Sequence, residues 1–541
     1  MNPDQNNNSN EFDAIVVGAG FAGLYMLIKL RQLGLRTRVI EAGDGIGGTW
    51  YWNRYPGARC DVESLQYSYS FDDELQQSWV WSERYPAQQE ILAYINHVAD
   101  RYQLREDIQL STRVVAADWQ EGAQEWQVRT QHGEVLSARF LISAVGCLSS
   151  ASKPVIDGLD QFQGLRLHTS EWPAETVDLK GLRVGVVGTG SSGIQVIPQL
   201  ARQAGQLVVF QRTPNFSIPA WNKPLPVADQ DAWKIDYRAH RERARQTRSG
   251  ILYQYSQRGT FEVDDAEREA EYDRRWQHGG ANFTHAFNDV FTHREANDLL
   301  ADYVRQKIKS IVRDPQVAER LTPRDHAIGT KRICVDTDYY ATYNLPHVSL
   351  HDLRADPLIR FTSTGVETER QSYALDAIVF ATGFDAVTGS IERLGIRGRG
   401  EQSLKAQWQM GPRTYLGLAA AGFPNLFMIT GPGSPSILTN VIVSIEQHVE
   451  WIADCLARMQ AQGYTRIEAR ESAQDHWVRH VAELASGTLF TTTASWYMGA
   501  NVPGKPRVFL PYGGGFANYA KLCREQVEAG YPGFDFSSAR G

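Results

Sequence analysis

Twice in this sequence an apolar run breaks into the spacing GxGxxG and then continues with helical periodicity. The first copy is Ala14-Ile15-Val16-Val17, then Gly18-Ala19-Gly20-Phe21-Ala22-Gly23, with Leu24, Leu27 and Ile28 behind it. The second is Leu182-Arg183-Val184-Gly185-Val186-Val187, then Gly188-Thr189-Gly190-Ser191-Ser192-Gly193. Strand, glycine turn and helix in that order make a dinucleotide cradle. The first glycine permits the tight turn, the second lets backbone approach a pyrophosphate, and the third allows close helix-on-strand packing. The helix N-terminus adds unpaired N–H groups and the positive end of its dipole. Two such units predict an α/β chain with two Rossmann-like dinucleotide-binding domains.

The residues just beyond each unit distinguish the two ligands. After the first, Thr37-Arg38-Val39-Ile40 reads as a strand ending in Glu41. That is close to the roughly 20-residue spacing at which an acid accepts hydrogen bonds from ribose hydroxyls. After the second, Leu207-Val208-Val209-Phe210 runs into Gln211-Arg212-Thr213. A cation stands where the first unit has an acid. A carboxylate would repel a 2′-phosphate, whereas Arg and Thr bind one. The expectation is FAD at the first site and NADPH (as NADP after hydride transfer) at the second. Such a protein is an oxidoreductase in which a nicotinamide passes hydride to a flavin.

Composition excludes several other classes. The chain has 541 residues, 42% of them hydrophobic, with 14 Trp and 23 Tyr, too apolar and aromatic for a disordered chain. No apolar run approaches the roughly 18 residues of a membrane span, so none is expected. The N-terminal MNPDQNNNSN is polar and reads as a short tail rather than a signal peptide. A net charge of −7 gives no global reason to bind nucleic acid. The densest basic stretch, Arg238, Arg241, Arg243, Arg245 and Arg248, is interrupted by Glu242 and reads as a solvated helix face. Cys60, Cys147, Cys334, Cys455 and Cys523 are widely spread and form no CxxC. That argues against a disulfide framework, a metal site and a disulfide-reductase redox pair, and it suits a reducing cytoplasm.

Between the two units stands Phe162-Gln163-Gly164-Leu165-Arg166-Leu167-His168-Thr169-Ser170-Glu171-Trp172-Pro173. This FxGxxxHxxxWP resembles the fingerprint of the type I Baeyer–Villiger monooxygenases, the class B flavoprotein monooxygenases. Gly48-Thr49-Trp50 with Tyr55-Pro56-Gly57 and Asp61 resembles a second signature of that family. Asp376 to Ala381-Thr382-Gly383 resembles a motif shared more widely among flavin monooxygenases. The resemblance runs from about Phe12 to Tyr531. It is closest to the phenylacetone monooxygenase branch, through the segments at 329–332, 431–436 and 493–507. Within the fingerprint, His168 reads as a hydrogen-bonded histidine holding a linker rather than a proton donor, and Trp172 as packing. Ala377-Ile378-Val379-Phe380 reads as a strand that returns the chain to the flavin domain.

The resemblance implies that the protein inserts oxygen from O2 beside a ketone carbonyl. A flavin C4a-peroxide attacks, a tetrahedral (Criegee) adduct rearranges, and an ester or lactone leaves, with sulfoxidation as a side reaction. This chemistry needs a fixed positive charge beside the developing anion and a dry pocket. Arg332, in Gly329-Thr330-Lys331-Arg332, matches the family's catalytic arginine, and Asp61 matches its acidic partner. By the same carry-over, Ala22, Thr49, Trp50, Tyr51, Trp52, Asp61, Tyr67, Val114 and Val441 are expected on the flavin. Arg59, Cys60, Asp61, Thr189, Gly190, Ser191, Ser192, Ile194, Gln195 and Arg332 are expected on NADP. Lys331 joins Arg212 and Thr213 at the 2′-phosphate. Trp496 falls in a segment that resembles a mobile loop over the coenzyme. Val62, Cys147, Leu148, Ser436, Ile437 and Leu438 match the substrate pocket. Ile437 is bulky where the relative is small, and Cys147 replaces an amide. Apolar ketones are expected, bulky and cyclic ones among them, and the sequence does not choose.

The implied organisation is a flavin domain from residues 1–148 and 389–541 and an NADPH domain from 149–225 and 329–388. Residues 226–328, rich in charge and alanine at helical spacing, would be a helical insert. A monomer is expected. One rival is a flavin monooxygenase acting on nitrogen or sulfur, against which Trp172-Pro173 and Arg332 with Asp61 argue as the main activity; another is a nucleotide-binding sensor or structural protein without turnover.

Overall fold

The computed structural model describes residues 11–538. The polar tail expected at the N-terminus lies outside the described residues. In the first sheet, Glu11–Val17 runs between Val135–Ser143 and Thr37–Ile40, parallel to both, with Val17 level with Ser143 and Ile40. Ile108–Gln109 extends one side. Val114–Gln120 and Glu125–Thr130 add antiparallel strands on the other. Leu426–Met428 pairs with Val135–Ser143, and Ile396–Arg397 with Val114–Gln120. One sheet is therefore built from both ends of the chain. The second sheet is wholly parallel, in the order Val348–Asp352, Gln206–Gln211, Arg183–Val187, Ala377–Phe380, Leu165–His168. Strands covered on both faces need unbroken apolar runs. Ala14 to Val17 and Ala377 to Phe380 are such runs, buried throughout.

The two glycine turns are copies of each other. Gly18 has φ +107°, and a Cβ there would stand 2.6 Å from the Ala144 carbonyl oxygen. Gly188 has φ +110°, and a Cβ there would stand 2.4 Å from that of Ala381. No side chain fits either place. Ala381-Thr382-Gly383 thus backs the second turn as Ala144 backs the first.

The chain crosses between the sheets twice, and the two crossings are paired. Val387 N–H donates to Cys147 O at 2.8 Å, Asp385 N–H to Ser150 O at 2.8 Å, and Ser152 N–H to Gly383 O at 2.9 Å. Any reorientation of one sheet against the other must flex this double strand.

Among the described residues, 226–328 form helices and turns only. The arginine cluster there is a solvated face only in part, which corrects the expectation at Arg241 and Arg245. Arg241 is buried and donates to Gln66 O at 3.0 Å, Ser68 Oγ at 2.6 Å and Tyr237 Oη at 3.1 Å. Arg245 reaches Ser70 Oγ and the buried Glu446. Acceptors buried under the helix Tyr237–Arg245 need donors, and the long guanidinium stems supply them. Arg238, paired with Asp73, and Arg243 keep the expected exposure. No described helix is long and apolar enough to cross a membrane.

Candidate active site

The helices Phe21–Gln32 and Ser191–Ala201 both start without a side-chain cap and without an acid in the first turn. Their leading N–H groups are left for a ligand, the donor set a pyrophosphate needs. Glu41 is buried, with Oε2 accepting from Ala19 N–H at 2.7 Å and Oε1 from Gly43 N–H at 2.8 Å. Burial raises its pKa, and these donors pull it back. The acid expected on the ribose therefore also fixes the first turn.

At the second turn, Thr189 Oγ1 donates to Thr213 O at 3.0 Å and draws Gln211-Arg212-Thr213 against the cradle. Arg354 donates to Thr213 Oγ1 at 3.0 Å and pairs with Asp325. The Lys331 ammonium is pushed down mainly by burial, with Arg354 and Arg212 adding to the effect and Asp325 opposing it. Arg212, Lys331 and Arg354 thus share one neighbourhood around Thr213, which suits a dianionic phosphate. Arg354 escaped the sequence reading because an arginine in a loop after Asp352 carries no local mark.

The segment from Thr49 to Tyr67 joins the two halves. Thr49, Trp50, Tyr51 and Trp52 form a short helix, and Trp50 Nε1 donates to Tyr67 Oη at 3.1 Å. The Tyr51 hydroxyl bonds Asp44. Gln195, on the second cradle's helix, accepts from Tyr55 Oη at 2.8 Å and donates to Arg59 O at 3.0 Å. Arg59 pairs with Glu83. Cys60 Sγ accepts weakly from Val62 N–H, and burial pushes its thiol up. Ala22 is buried on the first helix, and Gly193 and Ile194 on the second. Ser191 Oγ lies 3.4 Å from Cys334 Sγ. Ser192 lies beside the Tyr55 hydroxyl. Val114 is buried at the start of its strand, and Val441 opens the helix Val441–Gln462.

Arg332 and Asp61 meet in a bidentate pair. Nε donates to Oδ2 at 3.0 Å and Nη2 to Oδ1 at 2.7 Å, while Nη1 donates to Ile437 O at 3.1 Å. Asp61 raises the guanidinium pKa further, so the cation is permanent. Its side chain keeps 32% of its surface open, so the guanidinium can be reached by a ligand. The Tyr497 hydroxyl also lies against the guanidinium, so Asp61, Ile437 O and Tyr497 together set its orientation.

Around this pair lies an apolar wall. Ile437, Phe490, Tyr497, Leu510, Ala386 and Val387 pack together, with Cys147, Leu148, Leu438, Phe291 and Trp496 against them. Burial pushes the Cys147 thiol up to about 11 and the Tyr497 phenol up to about 12. Trp496 lies with its ring 4.4 Å from that of Tyr497. Val62 belongs to the large flavin-side core, and Ser436 bonds Ser434 at 2.9 Å. Phe291 and Phe490 stack at 5.6 Å. Neither was singled out from sequence, because each comes from a segment with no motif of its own.

The fingerprint residues sit at the double crossing. His168 Nδ1 accepts from Ser170 N–H at 3.2 Å and lies 2.7 Å from Ser170 Oγ. Nε2 lies 3.2 Å from Thr382 Oγ1, which donates to Ser152 O at 2.6 Å. Burial lowers the imidazole pKa and keeps it neutral. Phe162 and Trp172 are buried, Pro173 is half-buried, and Gly164 lies tight against the Phe162 ring and Asp376 O.

The family described as pyridine nucleotide-disulphide oxidoreductase matches residues 15–227. The chain's five cysteines are all free. A phenazine N-monooxygenase of Lysobacter antibioticus is 42% identical over 98% of this chain and 97% of its own. A Baeyer–Villiger monooxygenase of Pseudooceanicola batsensis is 42% identical over 96% of this chain and 95% of its own. Among solved structures, an oxidised steroid monooxygenase bound to NADP is 50% identical, with TM-score 0.94, covering 98% of this chain and 100% of its own. A cyclohexanone monooxygenase from Rhodococcus sp. Phi1 bound to NADP+ is 40% identical, with TM-score 0.96 and the same coverage. With two nucleotide cradles and an Arg–Asp pair in one cleft, the chain belongs to the type I Baeyer–Villiger monooxygenases, flavoproteins that use FAD and NADPH.

Proposed function

We propose that the protein inserts one atom of O2 beside the carbonyl of an apolar ketone, giving an ester or lactone, with NADPH as reductant. The observation that carries this reading is the Arg332–Asp61 pair facing an apolar wall. The flavin, once reduced, supplies the activated oxygen. The rest is the work of the chain. Gly18, Gly20 and Gly23 with Glu41 hold the flavin nucleotide. Gly188, Gly190 and Gly193 hold the coenzyme pyrophosphate, and Arg212 and Lys331 hold its 2′-phosphate. Asp61 fixes the plane of the guanidinium. Arg332 presents an N–H to the oxygen that becomes an alkoxide, where a preplaced charge is most effective. Ile437, Leu438, Phe490 and Tyr497 exclude water.

Each chain carries both cradles and the ion pair, so a monomer suffices, and the free thiols suit a reducing cytoplasm. Oxygen transfer to a ring nitrogen is a second reading, favoured by the phenazine N-monooxygenase relative. Sulfoxidation would share its electrophilic oxygen. The test is product analysis of the yellow holoenzyme with NADPH and isotopically labelled dioxygen over linear, aryl and ring ketones. One labelled atom in an ester or lactone is expected. Labelled N-oxides from phenazines, with no ester from any ketone, would transfer the assignment to the second reading.

A further inference from the structure

The aromatic wall continues beyond Tyr497 and ends in polar groups that the protein itself does not use. Ring centroids run from Tyr497 to Phe490 at 5.7 Å, Phe490 to Phe291 at 5.6 Å, Phe291 to His285 at 6.3 Å, and His285 to Tyr253 at 5.2 Å. The belt returns toward the catalytic pair, because Tyr253 interacts electrostatically with both Asp61 and Arg332. The segment from Arg248 to Tyr255 is seated against Gln66, Asn440 and the start of the helix Phe516–Glu528, whose Phe516 N–H donates to Arg248 O at 2.7 Å. Asn440 N–H donates to Ser249 O at 2.8 Å, and Leu252 N–H to Gln66 Oε1 at 2.7 Å. A Cβ on Gly250 would lie 3.3 Å from the Val443 side chain. Arg248 therefore adjoins the end of the Ser436–Leu438 loop.

Among the described residues, nothing hydrogen-bonds or ion-pairs with the Arg248 guanidinium, the Tyr253 hydroxyl or the His285 imidazole. Their neighbours are satisfied. Tyr255 Oη donates to Ile251 O at 3.1 Å, and Arg275 is engaged by Glu271, Gln254 O and Asn282. Polar groups left open to solvent at the end of an apolar wall are placed to orient a ligand that lies along it.

Charge decides which ligand. Arg248 is open to solvent and lacks a carboxylate, so its charge is uncompensated. Arg332 is compensated by Asp61. An anionic group entering the cleft is attracted by Arg248 and repelled by Asp61, while a neutral carbonyl suits the Arg332 end. His285 stays neutral, pushed down to about 3 by burial and by Arg248 and Arg275, so it can donate one hydrogen bond without adding charge.

We propose that Arg248, with His285 and Tyr253, forms a second subsite that binds a carboxylate at the far end of the ketone substrate. The preferred substrate class is then a keto acid. Its apolar body lies on the Phe291–Phe490 belt, its carbonyl at Arg332 and its carboxylate at Arg248. This rests on reading the cleft as a ketone pocket.

The test uses acetophenones with a para-carboxylate attached directly or through one or two methylenes, each beside its methyl ester. Holoenzymes are wild type, Arg248→Gln, Arg248→Lys and His285→Phe. In wild type, kcat/KM for at least one acid should exceed that of its ester by about tenfold or more, the scale of a charge-assisted hydrogen bond. Arg248→Gln should erase that advantage with the ester unchanged, Arg248→Lys should restore part of it, and His285→Phe should reduce it. Equilibrium dialysis of the same acids should show weaker binding to Arg248→Gln. Esters turned over normally, with no acid preference and no Arg248-dependent binding, would overturn the subsite and leave the ketone reading intact. Arg248-dependent binding of the acids without oxygenation of any ketone would overturn the ketone reading and keep the subsite. Equal loss for acid and ester in Arg248→Gln would make the residue structural and the proposal wrong.

Discussion

Arg332 and Asp61 stand 271 residues apart in sequence, yet Nη2 lies 2.7 Å from Oδ1 and Nε 3.0 Å from Oδ2. Asp61 comes from the segment that Gln195 clamps to the second cradle. Arg332 comes from the loop just after the helical residues 226–328. The pair therefore ties the loop that carries Arg332 to the segment held against the second cradle.

Arg332→Ala should leave NADPH able to bleach the flavin while lowering ester formation by about 10²–10³ or more, the range for removing a preplaced donor to a developing oxyanion. Asp61→Asn should fall between wild type and Arg332→Ala, since the guanidinium stays but loses its anionic partner. Stopped-flow flavin absorbance and gas chromatography separate the two half-reactions. Normal ester yield in Arg332→Ala would place the acceptor charge elsewhere.

Arg212→Ala should raise KM for NADPH by about tenfold or more and leave KM for NADH nearly unchanged, because only the 2′-phosphate contact is removed. Arg354→Gln should act in the same direction but more weakly, since Asp325 already shares that guanidinium. Steady-state kinetics with both coenzymes gives the answer. Equal effects on NADPH and NADH would detach Arg212 from the phosphate.

The two glycine turns were legible because their meaning lies in local spacing: one strand, one turn and one helix. The Arg332–Asp61 pair was legible only through motif resemblance. The aromatic belt was not legible. Tyr253, the stretch from His285 to Phe291 and the stretch from Phe490 to Tyr497 are far apart in sequence, and tertiary packing brings the three together. The arginine cluster misled for a related reason. Whether Arg241 points to water or inward depends on acceptors at Gln66 and Ser68, 175 and 173 residues away, and no helical pattern encodes them.

His168 ties the fingerprint strand to Thr382, and through it to Ser152, at the two paired crossings. His168→Phe leaves Ser170 and Thr382 without that partner, at a cost of about 1–3 kcal/mol. Flavin reduction by NADPH should slow as the crossings loosen, while ester formed per NADPH consumed stays near the wild-type ratio. Thermal unfolding and coupling ratios check this. A collapsed coupling ratio with unchanged stability would instead put the imidazole in the oxygen-transfer step.

His448 is fully buried and supports the loop that carries Ser436 to Leu438. Nδ1 accepts from Thr430 N–H at 3.0 Å, and Nε2 lies 3.0 Å from Tyr519 Oη, which donates to Leu416 O at 2.6 Å. The imidazole is therefore the neutral tautomer with its proton on Nε2, and burial pushes its pKa down from 6.5 to about 3. The folded pKa lies below the unfolded one, so the unfolded chain takes up the proton first as pH falls. Stability is full above the unfolded value and declines by about 1.4 kcal/mol per pH unit below it, levelling off only near the folded value. From neutral pH down to about pH 5 this one group should remove roughly 2 kcal/mol. His448→Gln keeps a donor and an acceptor but cannot titrate, so its urea midpoint should fall less steeply with acid. His285 and His326 are also depressed and titrate in both proteins, so the difference between the two curves isolates His448. Parallel curves would mean that the folded protein protonates this imidazole as readily as the unfolded chain does, and the clamp on Thr430 would lose its basis.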